Sequence, residues 1–199
     1  NEHSFEDFNE IEMFQLDNTK KYFETGNEQG NFIIYSDANT FLNGFIFSKR
    51  KKHYDVVIID LPDPRNLQLN KLYTVQFYKK LKLLMSNNAK MVIQSTSPYY
   101  ANQVYNAIGR TLKAAGFNTY PYHENIPSFG EWGWWIGSKQ QINLHRVKIP
   151  EFTTYITTDL FQSSLVFGKG VLNNKTKFIN SLMEPKLMEV YNNSSWLLY

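Results

Sequence analysis

Short apolar runs recur along the chain, and between them the apolar positions shift to a spacing of three and four residues. Phe32-Ile33-Ile34-Tyr35 reads as a buried strand ending at Ser36-Asp37-Ala38. Tyr54-Asp55-Val56-Val57-Ile58-Ile59, β-branched and bounded by Pro, reads as a fully buried strand of a parallel sheet. Lys90 to Gln94 is the next strand. Asn39 to Ser48 reads as a helix, and Thr74 caps another from about Val75 to Met85, with Phe77, Leu81 and Leu84 on one face. Pro98 opens a helix to about Ala115 that Gly116 ends. Residues 118–123 and 132–137 read as strands on either side of the loop Ile126 to Gly130. With no helix between them, they form an antiparallel edge pair. Upstream, residues 1–10 are acidic and helix-like or frayed, Ile11 to Leu16 reads as a strand, Asn18 to Glu24 as a short helix, and Gly26 to Gly30 as a loop. Helical stretches at about 157–167 and 174–191 close the chain. Strand and helix alternate four times, which predicts an α/β fold with a doubly wound, mostly parallel sheet.

Composition narrows the chemistry. At 199 residues, 42% hydrophobic and 20% charged, the chain is one globular domain or one with a small appendage. A net charge of +3 is too weak and scattered to argue for a nucleic-acid partner. The densest cluster, Lys49 to Lys52, reads as a solvated helix end. The absence of cysteine excludes disulfides, thiolate metal sites and a Cys nucleophile. His3, His53, His123 and His145 show no ligand spacing, so no transition-metal site is expected. No apolar stretch approaches the ~20 residues of a spanning helix, and no signal peptide is expected within these residues. The chain begins at Asn1 rather than Met, so the expectation is a piece of something longer.

Open α/β sheets bind ligands at the carboxyl ends of their strands. Asp37 follows one strand, Asp60 and Asp63 the next, and Gln94 a third. The segment Asp60-Leu61-Pro62-Asp63-Pro64-Arg65 is either a Pro-stiffened turn with an Asp cap or two carboxylates held over the crevice. Asp37 is either a site carboxylate or the cap of the helix 39–48, and Gln94 either a ligand group or a satisfied strand end. Clustered carboxylates suit a cation, a metal or acid/base work. Mg²⁺ is possible but lacks a phosphate cradle beside it, and a polyamine fits better.

The segment Ile59-Asp60-Leu61-Pro62-Asp63-Pro64 resembles the D-x-x-D-P loop of the polyamine aminopropyltransferases, the spermidine synthases. Leu72-Tyr73-Thr74-Val75-Gln76-Phe77-Tyr78 is similar to their L-[YF]-[ST]-x-x-F-Y segment. Gln94-Ser95-Thr96-Ser97-Pro98-Tyr99 and Ile126-Pro127-Ser128-Phe129-Gly130-Glu131-Trp132-Gly133 resemble later blocks in the form found in the membrane-anchored bacterial branch. Ile156 to Leu160, Ile179 to Leu182 and Pro185-Lys186-Leu187 resemble its tail. The resemblance spans about residues 31–199. It implies a Rossmann-like sheet of the class I methyltransferase type and transfer of an aminopropyl group from decarboxylated S-adenosylmethionine, as co-substrate, to putrescine. No tightly bound cofactor is implied. Asp60 would be the general base, and Asp63 and Gln94 would bind the diamine. Asp37 and the Ala38 backbone would meet the adenine amino group, with Leu61 and Pro62 packing on the adenine.

Four departures stand out. The family's glycine-rich turn has no counterpart, because Gly26 and Gly30 are wrongly spaced. Gln15, in Phe14-Gln15-Leu16-Asp17, occupies the place of the glutamate that holds the ribose hydroxyls, where charge-assisted bonds are roughly twice as strong. Phe129 replaces a tyrosine that reaches the diamine, so that contact is expected from Glu131 or Tyr99. The soluble family's N-terminal β-hairpin domain is not expected within these residues. The resemblance therefore implies residues 1–150 as an N-terminally incomplete catalytic domain and 151–199 as a helical extension packed on it. A membrane part would precede it, the domain would face the cytoplasm, a homodimer is possible, and the isolated piece would bind donor poorly. The competing expectations are a degenerate binding or structural module and a methyltransferase, which the D-x-x-D-P loop disfavours.

Overall fold

The computed structural model describes residues 23–24, 33–34, 36–47, 53–128, 130–172 and 177–194. Gln15, the loop 26–30, the basic run 49–52 and Phe129 lie outside these residues. The chain divides into two compact units, residues 1–52 and 53–199, so the stretch after residue 150 belongs to the second unit.

In the first unit, β1 (Phe23–Glu24) pairs antiparallel with β2 (Ile33–Ile34). Glu24 is therefore in a strand, not in the short helix expected over 18–24. Helix α1 (Ala38–Phe47) follows, within a residue of its expected bounds.

The second unit is built on a four-stranded sheet of β3 (Tyr54–Ile59), β4 (Met85–Gln94), β5 (Asn118–Ile126) and β6 (Gly130–Ser138), in the order β3-β4-β6-β5. Only β3 and β4 are parallel, while β6 runs antiparallel to both its neighbours. The α/β class is as expected, the hairpin of β5 and β6 is the antiparallel edge pair, and the described sheet is mixed. Among the described residues β3 is also an edge strand. Val56 and Ile58 are 67% and 75% exposed, so the reading of a fully buried strand holds only for Ile59.

The core lies on one face of this sheet. Register places Ile59, Ile93 and Trp135 in one row, with Met91 on the same face, and all four are buried. Each such side chain contributes roughly 1.5–3 kcal/mol on burial. Helix α3 (Val75–Leu84), preceded by the short helix α2 (Leu67–Asn70) and a 3₁₀ turn at Lys71–Tyr73, buries Phe77, Tyr78, Leu81 and Leu84. Its cap is the expected one, with Thr74 Oγ1 accepting from the Phe77 amide at 3.3 Å. Helix α4 (Asn102–Ala114) starts four residues after Pro98, because residues 98–101 form a turn. It buries Val104, Tyr105, Ala107, Ile108 and Leu112, and ends at Gly116 with φ +88°. Trp135 Nε1 donates to the Tyr105 carbonyl at 2.8 Å, and its indole fills the space that Gly109 leaves open.

After the sheet come a 3₁₀ turn at Leu144–Arg146, α5 (Thr158–Ser164) and α6 (Lys186–Asn192). The helix expected over 174–191 is a correction. Residues 177–185 are not helical, and helix begins only after Pro185. The backbone and side chain of Asn180 are committed elsewhere. Its amide donates to Thr111 Oγ1 and its carbonyl accepts from the Val75 amide, which no continuous helix would allow.

Candidate active site

Parallel pairing sets Ile59 opposite Ile93, so Asp60 and Gln94 leave the sheet on the same rim. The loop beyond Asp60 is held from beneath. Tyr73, fully buried, places its hydroxyl 3.1 Å from the carbonyls of both Leu61 and Pro62, a shared hydrogen bond that fixes their direction. Pro64 is buried, and the Arg65 amide donates to the Asp63 carbonyl at 2.7 Å. Asp60 is exposed on the rim, Leu61 is half-buried and Pro62 exposed.

Asp63 turns inward. Its Oδ2 accepts from the Tyr191 hydroxyl of α6 at 2.9 Å. Burial pushes its carboxyl above the ordinary value, against the opposing effects of the Tyr191 hydrogen bond, the Gln94 amide and the Arg65 charge. Burial, and then the Asp63 charge, push the Tyr191 phenol up in turn. Among the described residues, Asp63 Oδ1 and Gln94 Oε1 are both buried acceptors with no donor, the Gln94 amide acting on the Asp63 carboxyl without satisfying Oδ1. A buried acceptor left unmatched costs about 1–3 kcal/mol, so two on one rim fit a ligand that brings N–H groups.

Beyond Gln94 the backbone is strained. Thr96 is buried with φ +63°, a left-handed conformation that a β-branched residue adopts only under constraint. The constraint is visible: the Ser95 amide donates to Gly133 O at 2.9 Å and the Gly133 amide to Thr96 O at 2.8 Å. Ser97 Oγ then accepts from the Tyr99 and Tyr100 amides at 3.3 and 3.2 Å. The strand end carrying Gln94 is thus locked to β6 at a site where Gly133 has no room for a Cβ beside Tyr105.

Residues 6–149 match the spermine/spermidine synthase domain. The chain is a member of the spermine/spermidine synthase family. It is 37% identical over 141 residues to a polyamine aminopropyltransferase of Oceanobacillus iheyensis, covering 69% of this chain and 28% of that protein. It is 36% identical over 169 residues to one of Shewanella oneidensis, covering 82% of this chain and 29% of that protein. A spermidine synthase in complex with the transition-state analogue AdoDATO shares the fold, with a TM-score of 0.59 at 19% identity over 70% of this chain and 50% of that one. The spermidine synthase from Thermotoga maritima gives 0.55 at 20% identity, over 70% of this chain and 48% of that one. The chain thus spans less than a third of the length of these curated relatives. Among the described residues no helix is long and apolar enough to cross a membrane.

Other residues expected at a spermidine synthase site have partners of their own. Asp37 and Ala38 belong to the first unit. Asp37 Oδ1 accepts from the Thr40 amide at 2.9 Å and from Thr40 Oγ1 at 3.1 Å, so it caps α1. Glu131 Oε2 lies 2.8 Å from His123 Nδ1, whose Nε2 lies 2.8 Å from the Val166 carbonyl. Tyr99, 42% exposed, sets its ring edge-on to the same His123 at 5.9 Å. Tyr99 and Glu131 therefore share a cluster around His123 that closes on the segment before Gly168. Two residues outside the expected site complete the loop's support: Tyr191, bound to Asp63, and Asn180 of the Ile179–Leu182 stretch, whose Nδ2 donates to Tyr73 O at 3.0 Å. Local pattern carries no sign of either, because their partners lie 128 and 107 positions away.

Proposed function

We propose that this chain carries the amine-acceptor half of an aminopropyltransferase site, one that transfers an aminopropyl group from decarboxylated S-adenosylmethionine to putrescine. The observation that supports this best is the pair of buried, donorless acceptors at the rim, Asp63 Oδ1 and Gln94 Oε1. Family membership supports the reaction class. An alkylamine with a pKa near ~10 is mostly protonated at neutral pH and has no lone pair to offer. One end of the diamine is held as an ammonium by Asp63 and Gln94. The other end gives its proton to Asp60, and its freed lone pair attacks the propyl carbon beside the sulfonium. The new C–N bond forms as the C–S bond breaks, the bonding pair returning to sulfur. The products are spermidine, neutral methylthioadenosine and protonated Asp60.

The test is the full-length polypeptide beside its Asp60→Asn variant, assayed for methylthioadenosine release. Loss of a positioned general base lowers the rate by roughly 10²–10⁴-fold while methylthioadenosine binding is retained. Equal turnover by the variant would remove Asp60 from the mechanism.

A further inference from the structure

The C-terminal segment reaches back to the Asp60–Arg65 loop through a chain of specific hydrogen bonds. Tyr191 Oη donates to Asp63 Oδ2 at 2.9 Å and Asn192 Nδ2 to the Arg65 carbonyl at 3.3 Å. The Met188 amide donates to Asn70 Oδ1, and the Leu187 amide to Asn180 Oδ1, both at 3.2 Å. Asn180 in turn donates to the carbonyl of Tyr73, whose hydroxyl holds the loop. Two of these bonds, from Tyr191 and Asn192, come from the exit of α6 and grip the loop on both sides of Pro64.

A carboxylate can rotate about its Cβ–Cγ bond, and an amine finds its best geometry only if one oxygen is already aimed. A tyrosyl hydroxyl has one proton to give. Given to Oδ2, it fixes that rotation and leaves Oδ1 as a buried oxygen with no donor among the described residues, on the same rim as Gln94 Oε1. We propose that Tyr191 is a positioning residue for the amine acceptor, holding Asp63 by Oδ2 so that Oδ1 faces an ammonium of a linear diamine. This rests on the aminopropyltransferase reading of the site. Tyr191 touches Asp63 rather than the reacting atoms, so its influence is on acceptor binding and not on the attack itself.

Tyr191→Phe removes one oxygen and keeps the ring, so the fold is retained. In the full-length polypeptide the KM for putrescine rises about tenfold, the cost of one hydrogen bond to a charged group, while kcat and the donor KM stay within about twofold. The acidic limb of kcat/KM for putrescine moves to higher pH, because the carboxylate has lost a bond that favoured its charged form. A ¹³C titration of the Asp63 carboxyl shows the same upward move without turnover. In an Asp63→Ala background, Tyr191→Phe has no further effect on the putrescine dissociation constant. A purely structural anchor would lower the melting temperature and leave the acid limb in place. Wild-type protein that neither binds nor converts the diamine overturns the aminopropyltransferase reading and this assignment with it. Wild-type turnover with an unchanged putrescine KM and unchanged carboxyl titration in Tyr191→Phe overturns this assignment alone, as does an effect that persists in Asp63→Ala.

Discussion

Replacing Asn180 with Ala separates the loop from its support without touching any group at the rim. Asn180 is wholly buried. Its Nδ2 donates to Tyr73 O at 3.0 Å and more weakly to Asn70 O at 3.4 Å, and its Oδ1 accepts from the Leu187 amide at 3.2 Å. Alanine leaves the Leu187 amide and the Tyr73 carbonyl facing a space with no partner. Each buried group so stranded costs about 1–3 kcal/mol, so roughly 3 kcal/mol is lost in all, the 3.4 Å contact adding little. For a chain of this size 1 kcal/mol moves the melting midpoint by about 2–4 °C, so the expected fall is about 6–12 °C. Thermal unfolding by circular dichroism measures it, and urea unfolding with an unchanged m-value assigns it to stability rather than to a changed unfolded state. Native-state hydrogen exchange locates the damage: the Leu187 and Met188 amides lose protection first, since both bonds end in the same network. A midpoint within about 2 °C of wild type, with Leu187 still protected, would refute the claim that Asn180 ties α6 to the loop.

Two further outcomes follow from packing and charge. A Cβ added at Gly109 would lie 2.3 Å from the Trp135 ring, so Gly109→Ala forces the indole or α4 to move and destabilises by about 1–3 kcal/mol in a denaturation experiment, whereas an unchanged midpoint would mean the interface has slack. Burial raises Asp63 above its ordinary 3.8, so the folded chain holds that proton more tightly than the unfolded one. Its contribution to stability then falls as pH rises from about 3.8 through the folded value, and stays at the lower level above it. Asp63→Asn should melt no lower than wild type at pH 7 and bind the diamine more weakly, while a variant clearly less stable at pH 7 would mean the charged carboxylate is a net stabiliser.

What the sequence disclosed and what it hid divide by distance along the chain. Thr74 caps its helix through a contact three residues away, and Gly116 ends α4 with a φ that only glycine reaches freely, so both ends were legible locally. The pair of strands around residue 130 was legible because no helix-length segment separates them. Strand β4 was read five residues short, because Ser86-Asn87-Asn88 are polar. They continue the strand beyond a register irregularity at Tyr54–Val56, where Ser86 Oγ donates to Asp55 Oδ1 at 2.6 Å. The helix expected over 174–191 is present only from Lys186, because over 177–185 tertiary hydrogen bonds from Asn180 to residues about seventy and more than a hundred positions away take its polar groups instead. At the site, Asp60, Asp63 and Gln94 stood out as strand-end residues on neighbouring parallel strands. Tyr191 did not, since nothing in a seven-residue helix near the end of the chain marks one face as meeting a loop 128 positions earlier.

The most direct test incubates the full-length polypeptide with decarboxylated S-adenosylmethionine and putrescine and quantifies both products by mass spectrometry. The account predicts methylthioadenosine and spermidine in equal amounts, dependent on both substrates and abolished when Asp63 and Gln94 are replaced together by alanine. Spermidine formation that survives that double replacement would contradict the assignment of the rim, and no product from the wild-type polypeptide would contradict the reaction itself.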